Sequence, residues 1–132
     1  MKKYSTIFLI DDDTICNMLT KLQIQNQAIT EQVIIATNGK EGLDYLTTHH
    51  PSSTDKPWPE LILLDINMPI MDGFDFLEQF TALELTNRPL VVMLTSSNDP
   101  RDMEKARQFK VAGYLLKPFT PEKLMSILQD LE

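Results

Sequence analysis

LILLDINMPIMDG, residues 61–73, is the stretch that decides the fold. Leu61 to Leu64 is an unbroken apolar run, too short for a helix and lacking the polar alternation of a half-exposed strand, so it reads as a strand buried on both faces. It ends in Asp65. Beyond Pro69, Asp72 and Gly73 open a segment with Phe74, Leu77 and Phe80 at helical spacing, and Asp72 is placed to cap it. The same unit recurs on either side. Thr6 to Ile10 (TIFLI) ends in Asp11, Asp12 and Asp13, after which Ile15, Met18, Leu19 and Leu22 mark the expected buried face of a helix with Asp13 as N-cap. Val33 to Ala36 (VIIA) is followed by Asn38 and Glu41, spaced as a capping box, and by a helix expected to bury Leu43 and Leu46. Leu90 to Leu94 (LVVML) ends in Thr95 and Ser96. Asp99 and Pro100 then supply an N-cap and a first-turn proline, with Asp102 in the same turn. Tyr114 to Leu116 (YLL) ends in Lys117 and Pro118, and Thr120, Pro121 and Glu122 start a last helix with Leu124, Ile127, Leu128 and Leu131 inward. Strict alternation of five strands and five helices predicts an α/β domain on a parallel sheet.

The chain has 132 residues, 42% of them hydrophobic and 23% charged, enough for one core and too few for a second domain of useful size. With 12 Lys+Arg against 19 Asp+Glu the net charge is -7, and the basic residues are scattered, so nucleic acid is not an expected partner. Cys16, the single cysteine, excludes an internal disulfide and a multi-thiolate zinc site, and it reads as a packed or free thiol in a reducing compartment. The apolar run near the N-terminus stops at the three aspartates, short of a signal peptide, and no stretch approaches the ~20 apolar residues of a membrane helix. The expectation is a soluble cytoplasmic protein without a membrane partner. Pro51 to Pro59 (PSSTDKPWP) reads as a surface connection in which Trp58 covers an edge of the core, and His49 and His50 read as exposed polar residues.

In an open parallel sheet, ligands gather outside the carboxyl ends of the strands. The residues expected there are Asp11, Asp12, Asp65, Thr95, Ser96 and Lys117. Carboxylates packed together repel by on the order of 4 kcal/mol per pair at ~4 Å and an effective dielectric near ~20, a penalty that a hard divalent cation removes. An all-oxygen donor set suits Mg²⁺ better than Zn²⁺. With Mg²⁺ bound and Lys117 opposite, such a pocket can accept a phosphoryl group on a carboxylate. Asp65 is the natural nucleophile, because it stands alone at its strand end while Asp11 and Asp12 can share the metal.

The combination of LIDDD at the first strand end, LLDINMPIMDG around Asp65, LTSS at the fourth and GYLLKPF at the fifth resembles the receiver domain of two-component response regulators, of the compact chemotaxis type. The resemblance runs from Ile7 to Leu131, with the motifs in order and register. It implies a flavodoxin-like (βα)5 three-layer sandwich with strand order 2-1-3-4-5. It also implies a single receiver domain over residues 1–132, with a core of about 5–131 and no output domain. By position, Asp65 matches the phosphoacceptor, Asp12 the direct Mg²⁺ ligand, Asp11 the acid acting through metal-bound water, and Asn67 the backbone carbonyl that completes the protein ligands. Lys117 matches the lysine that pairs with the acyl phosphate, and Pro118 the proline joined to it by a cis peptide. Thr95 matches the hydroxyl that moves to the phosphoryl group, and Tyr114 the aromatic switch that follows it. Ser97 and Asn67 match positions that look over the pocket. The family has two acids after the first strand where this chain has three. Strand position favours Asp11 and Asp12 as the metal pair with Asp13 as cap, whereas a strand one residue longer would make the pair Asp12 and Asp13.

The function so implied is that of a signalling receiver and not of an enzyme, catalysing only its own phosphorylation and dephosphorylation. Its donor would be the phosphohistidine of a sensor histidine kinase or phosphotransfer protein. Its output would be a downstream protein target, reached as a monomer or weak dimer. Two alternatives stand beside it. FLIDDDTI also approximates the D-x-D signature of haloacid-dehalogenase-like phosphatases, with Asp11 as nucleophile, although only a terminal helix follows Lys117. A receiver-like docking module that is never phosphorylated is the other.

Overall fold

The computed structural model describes residues 4–48, 58–85 and 87–131. These residues form β1 (Tyr4–Ile10), α1 (Thr14–Asn26), β2 (Thr30–Ala36), α2 (Gly39–Thr48), β3 (Leu61–Leu64), α3 (Gly73–Ala82), β4 (Leu90–Thr95), α4 (Pro100–Gln108), β5 (Gly113–Leu116) and α5 (Pro121–Asp130). The strands make one parallel sheet in the order β2-β1-β3-β4-β5, the expected order of a flavodoxin-like fold. Successive side chains of a strand point to opposite faces, so each central strand feeds two cores. Phe8, Ile10, Ile62, Leu64 and Met93 join the cluster that includes α2 and α3. Ile7, Leu9, Leu63, Val92 and Leu94 join the one closed by Ile24 of α1 and Leu124 and Leu128 of α5. The result is the three-layer sandwich.

The helix starts follow local cap chemistry. Asp13 accepts hydrogen bonds from the backbone of Ile15 and Cys16, Asp72 from Asp75, Asp99 from Arg101, and Thr120 from Lys123. Asn38 accepts from the Glu41 N–H at 2.8 Å, and the Glu41 carboxylate reaches back to the Thr37 N–H at 3.2 Å. β2 begins at Thr30, ahead of the expected Val33, because its polar first residues pair with β1 through Tyr4↔Thr30 and Thr6↔Gln32. Trp58 packs against the α2/α3 core and donates its indole N–H to the Asn87 carbonyl at 2.7 Å. His49, His50 and residues 51–57 lie outside the described residues.

The expectation for α1 is overturned. Ile15, Met18, Leu19 and Leu22 are 65%, 57%, 56% and 49% exposed, while Asn17, Thr20 and Ile24 face the sheet. Both sets have helical spacing, so periodicity alone does not choose between them. The observed rotation buries Ile24 and lets Asn17 Nδ2 donate to the backbone carbonyl of Asp11 at 2.8 Å, a buried acceptor at the end of β1.

Gly73 sets how closely α3 approaches β3. A Cβ there would lie 2.4 Å from the Asp65 carbonyl oxygen and 2.9 Å from the Ile66 Cα, both backbone atoms, and the Gly73 N–H donates to the Ile66 carbonyl at 2.7 Å. Gly73→Ala must push α3 away from the strand end. We expect it to destabilise the protein by about 2–3 kcal/mol, measured as a lower urea midpoint at unchanged slope.

Candidate functional site

The sheet delivers its strand ends to one rim. Asp11 follows β1, Asp65 follows β3, Thr95 ends β4 and Lys117 follows β5. Asp11, Asp65 and Thr95 are buried, and Asp12 is exposed. Carboxylate oxygens of Asp11, Asp12 and Asp65 all lie within 4.8 Å of one another. Asp13 stands apart from that set and caps α1. Lys117 Nζ bonds Asp11 Oδ2 at 2.5 Å and lies 3.8 Å from Asp65 Oδ2. The Lys117–Pro118 peptide bond is cis.

The backbone arms each acid. Asp11 Oδ1 accepts the Asp13 N–H at 3.0 Å, and Asp65 Oδ1 accepts the Ile66 N–H at 2.9 Å. Asn67 is exposed on the loop that follows. Further along this loop Ile70 holds φ 73, and the Met71 N–H closes a tight turn onto the Pro69 carbonyl at 2.8 Å.

The electrostatics are uneven. Burial pushes the Asp65 carboxyl up, Lys117 opposes this, and Asp11 adds to it. With smaller lowering contributions from the Ile66 N–H and the Thr95 hydroxyl, its pKa stands at about 6. Burial also works against the Lys117 ammonium, but the hydrogen bond to Asp11 and the charges of Asp65 and Asp11 outweigh it and hold its pKa above the ordinary lysine value. Lys117 is therefore a fixed cation. Burial raises the Cys16 thiol despite nearby Lys117, which leaves it a packed thiol and no nucleophile.

Donor chemistry decides which ion fits. Three carboxylates face one ammonium, all candidate ligands are hard oxygens, and the exposed Asp12 leaves the rim open to water. That set matches Mg²⁺, which keeps several waters and takes one or two carboxylates. Asp11, Asp12 and Asp65 would hold it.

Tyr114, half-buried, donates its phenol to the Ser97 carbonyl at 2.7 Å, so its ring is already drawn toward the loop after β4. Ser97 donates its backbone N–H to Thr95 Oγ1 at 3.2 Å and its hydroxyl to Asp102 Oδ2 at 2.6 Å. The part played by Asp102 is not visible in the sequence, where it reads only as an acid in the first turn of a helix.

The response regulator receiver domain family matches residues 7–129. The nitrate/nitrite response regulator NarL of Escherichia coli K12 is 35% identical over 96% of this chain and 54% of its own length. A probable chemotaxis protein CheY of Rhizobium etli is 29% identical over 92% of this chain and 88% of its own. Among solved structures, a two-component response regulator from Cytophaga hutchinsonii superposes with a TM-score of 0.85 at 31% identity, covering 98% of both chains. The chain thus spans about half the length of NarL and most of the length of the chemotaxis protein.

The raised Asp65 pKa has a stability consequence with a definite sign. The folded state holds the Asp65 proton more tightly than the unfolded chain, so stability falls as pH rises from about 3.8 to about 6. Metal-free Asp65→Asn should therefore be more stable than the parent at pH ~7.5 by up to ~3 kcal/mol, with the difference vanishing below pH ~4. Added Mg²⁺ should raise the melting temperature of the parent and not of the variant.

Proposed function

The chain belongs to the response regulator receiver domain family, the phosphoacceptor signalling module of two-component systems, and on that premise we propose that Asp65 receives a phosphoryl group from a histidine-bearing donor protein. The observation that carries this reading is the meeting of Asp11, Asp12 and Asp65 within 4.8 Å, beside a lysine 3.8 Å from Asp65.

An Asp65 carboxylate oxygen attacks phosphorus. The O–P bond forms as the N–P bond of the donor's phosphohistidine breaks, and the departing imidazole takes a proton from solvent. Receiver domains in general bind Mg²⁺ at an acidic cluster. When bound here, at Asp11, Asp12, Asp65 and the Asn67 carbonyl, the ion would supply charge neutralisation for the incoming phosphoryl oxygens. Lys117 supplies the opposite pole. Its 3.8 Å distance from Asp65 leaves the carboxylate unblocked for attack, and its chain can swing to the acyl phosphate. Thr95, fully buried at the end of β4, would follow the new oxygens, and Tyr114 would follow Thr95 through Ser97, whose N–H donates to Thr95 and whose carbonyl accepts the Tyr114 phenol. Downstream protein binding would read that change.

Geometry weakens the phosphatase alternative. Its nucleophile would be Asp11, but both Asp11 oxygens are engaged, one by Lys117 and one by the Asp13 N–H. A docking module without phosphorylation has no use for three acids whose oxygens meet within 4.8 Å beside a lysine.

The donor's approach is supported by α1. Its exposed Ile15 and Leu19 line a groove of about 380 Å³ that runs to Lys117, Pro118 and Phe119. An amphipathic helix of the donor laid on this face would bury apolar surface while its histidine reaches the rim.

Acetyl phosphate with Mg²⁺ should label the parent and leave Asp65→Asn unlabelled. Full labelling of that variant would sink the assignment. Leu19→Asp should keep labelling by acetyl phosphate and slow phosphotransfer from a phosphohistidine protein by about tenfold or more, as the loss of a buried apolar anchor would.

A further inference from the structure

We infer that Asp102 is a positioning residue that couples Asp65 to α4, through the hydrogen bond it accepts from the Ser97 hydroxyl. This rests on the phosphoacceptor reading and adds the route by which the switch leaves the site. Ser97 is a junction of three elements. Its N–H donates to Thr95 Oγ1 of β4 at 3.2 Å, and its carbonyl accepts the phenol of Tyr114, on β5, at 2.7 Å. Its hydroxyl accepts the Asp99 N–H at 3.4 Å and donates its one proton to Asp102 Oδ2 of α4 at 2.6 Å. The last bond is short, half-buried and charge-assisted, the strong class of hydroxyl contact.

The geometry gives the coupling a direction. The Thr95 hydroxyl oxygen, buried at the end of β4, accepts the Ser97 N–H at 3.2 Å, so any motion of that oxygen toward a phosphoryl group on Asp65 drags the Ser97 backbone with it. Ser97 lies one residue before the exposed Asn98 and two before the Asp99 cap, and the backbone could absorb the motion there by bending. The bond to Asp102 prevents this. It ties the Ser97 side chain to a residue inside the first turn of α4, so displacement of the loop is passed to the helix. Asp102 is also held by its own backbone, whose N–H donates to the Asp99 carbonyl at 3.0 Å, which makes the turn a rigid receiver of the pull. The Ser97 hydroxyl is thereby directed at α4 and away from the rim.

The claim is one of energetic coupling, which spatial continuity alone does not prove, so the test is a mutant cycle read at both ends. Amide chemical shifts are recorded with Mg²⁺ before and after beryllofluoride, for the parent, Ser97→Ala, Asp102→Ala, Asp102→Asn and the double alanine variant. The parent should respond at Thr95, Ser97 and Tyr114 and along residues 101–108. Asp102→Ala should keep the Thr95 response and lose most of the response in α4. Ser97→Ala, which leaves the helix's N-terminal acid in place, should lose the same α4 response. A merely structural helix-terminus role for Asp102 would not produce that loss. Asp102→Asn keeps an acceptor oxygen and should retain the α4 response, and the double variant should lose no more than either single one. Undiminished α4 shifts in either alanine variant, or losses that add in the double variant, would overturn the coupling. Absence of a beryllofluoride response at Thr95 in the parent would instead overturn the phosphoacceptor reading beneath it.

Discussion

One ammonium among three carboxylates is the constraint around which this rim is organised. β1 and β3 are neighbours in the sheet, so Asp11 and Asp65 are brought together by strand pairing itself. Lys117 follows β5, beyond β4, and must reach past Thr95 to meet them. A long flexible stem with a compact cation does this. The reach is unequal, 2.5 Å to Asp11 and 3.8 Å to Asp65. Burial raises the Asp65 pKa, and Lys117, bonded to Asp11 and more distant from Asp65, only partly offsets this, so that it stands at about 6. A tight ion pair at Asp65 would have buried the nucleophile's lone pairs against the lysine. The looser contact keeps the carboxylate within the cation's field and open to attack, and the charge still uncompensated is what a divalent ion would fill.

Much of this was legible in the sequence because the signals are local. Apolar runs of three to five residues located the strands, those of β1 and β3 ending in acids, and Asp13, Asp72, Asp99 and Thr120 act as caps because a side-chain oxygen one turn from a free N–H needs no tertiary partner. The α1 face was not legible. The face it turns to the sheet carries Asn17, which bonds the Asp11 carbonyl, with Thr20 and Ile24, while four apolar side chains point outward, and hydrophobic periodicity carries no trace of that polar contact. Nor was the Ser97 junction legible. A serine and an aspartate five residues apart across a loop and a helix start have no distinguishing spacing, and the tyrosine that completes the junction arrives from another strand.

The segment after Asp65 carries a second kind of tension, steric where the first is electrostatic. Ile70 is β-branched at φ 73, a conformation that costs on the order of 1–3 kcal/mol in such a residue, and at 81% exposure it recovers little by burial. Gly73 brings α3 against the Asp65 carbonyl at a distance no side chain tolerates. These two residues compress the connection between β3 and α3 and hold the Asp65 backbone in place. The two tensions respond differently to function. A bound cation or a phosphoryl group would change the charge at Asp65 without itself touching the close contact of Gly73 with the Asp65 carbonyl. The side toward α3 thus acts as the fixed wall of the site. The side toward β4, where Thr95, Ser97 and Tyr114 are joined by hydrogen bonds and exposed loop residues, is the wall that can move. On the proposed reading, a charge event at Asp65 would be passed to that side because the other is sterically closed.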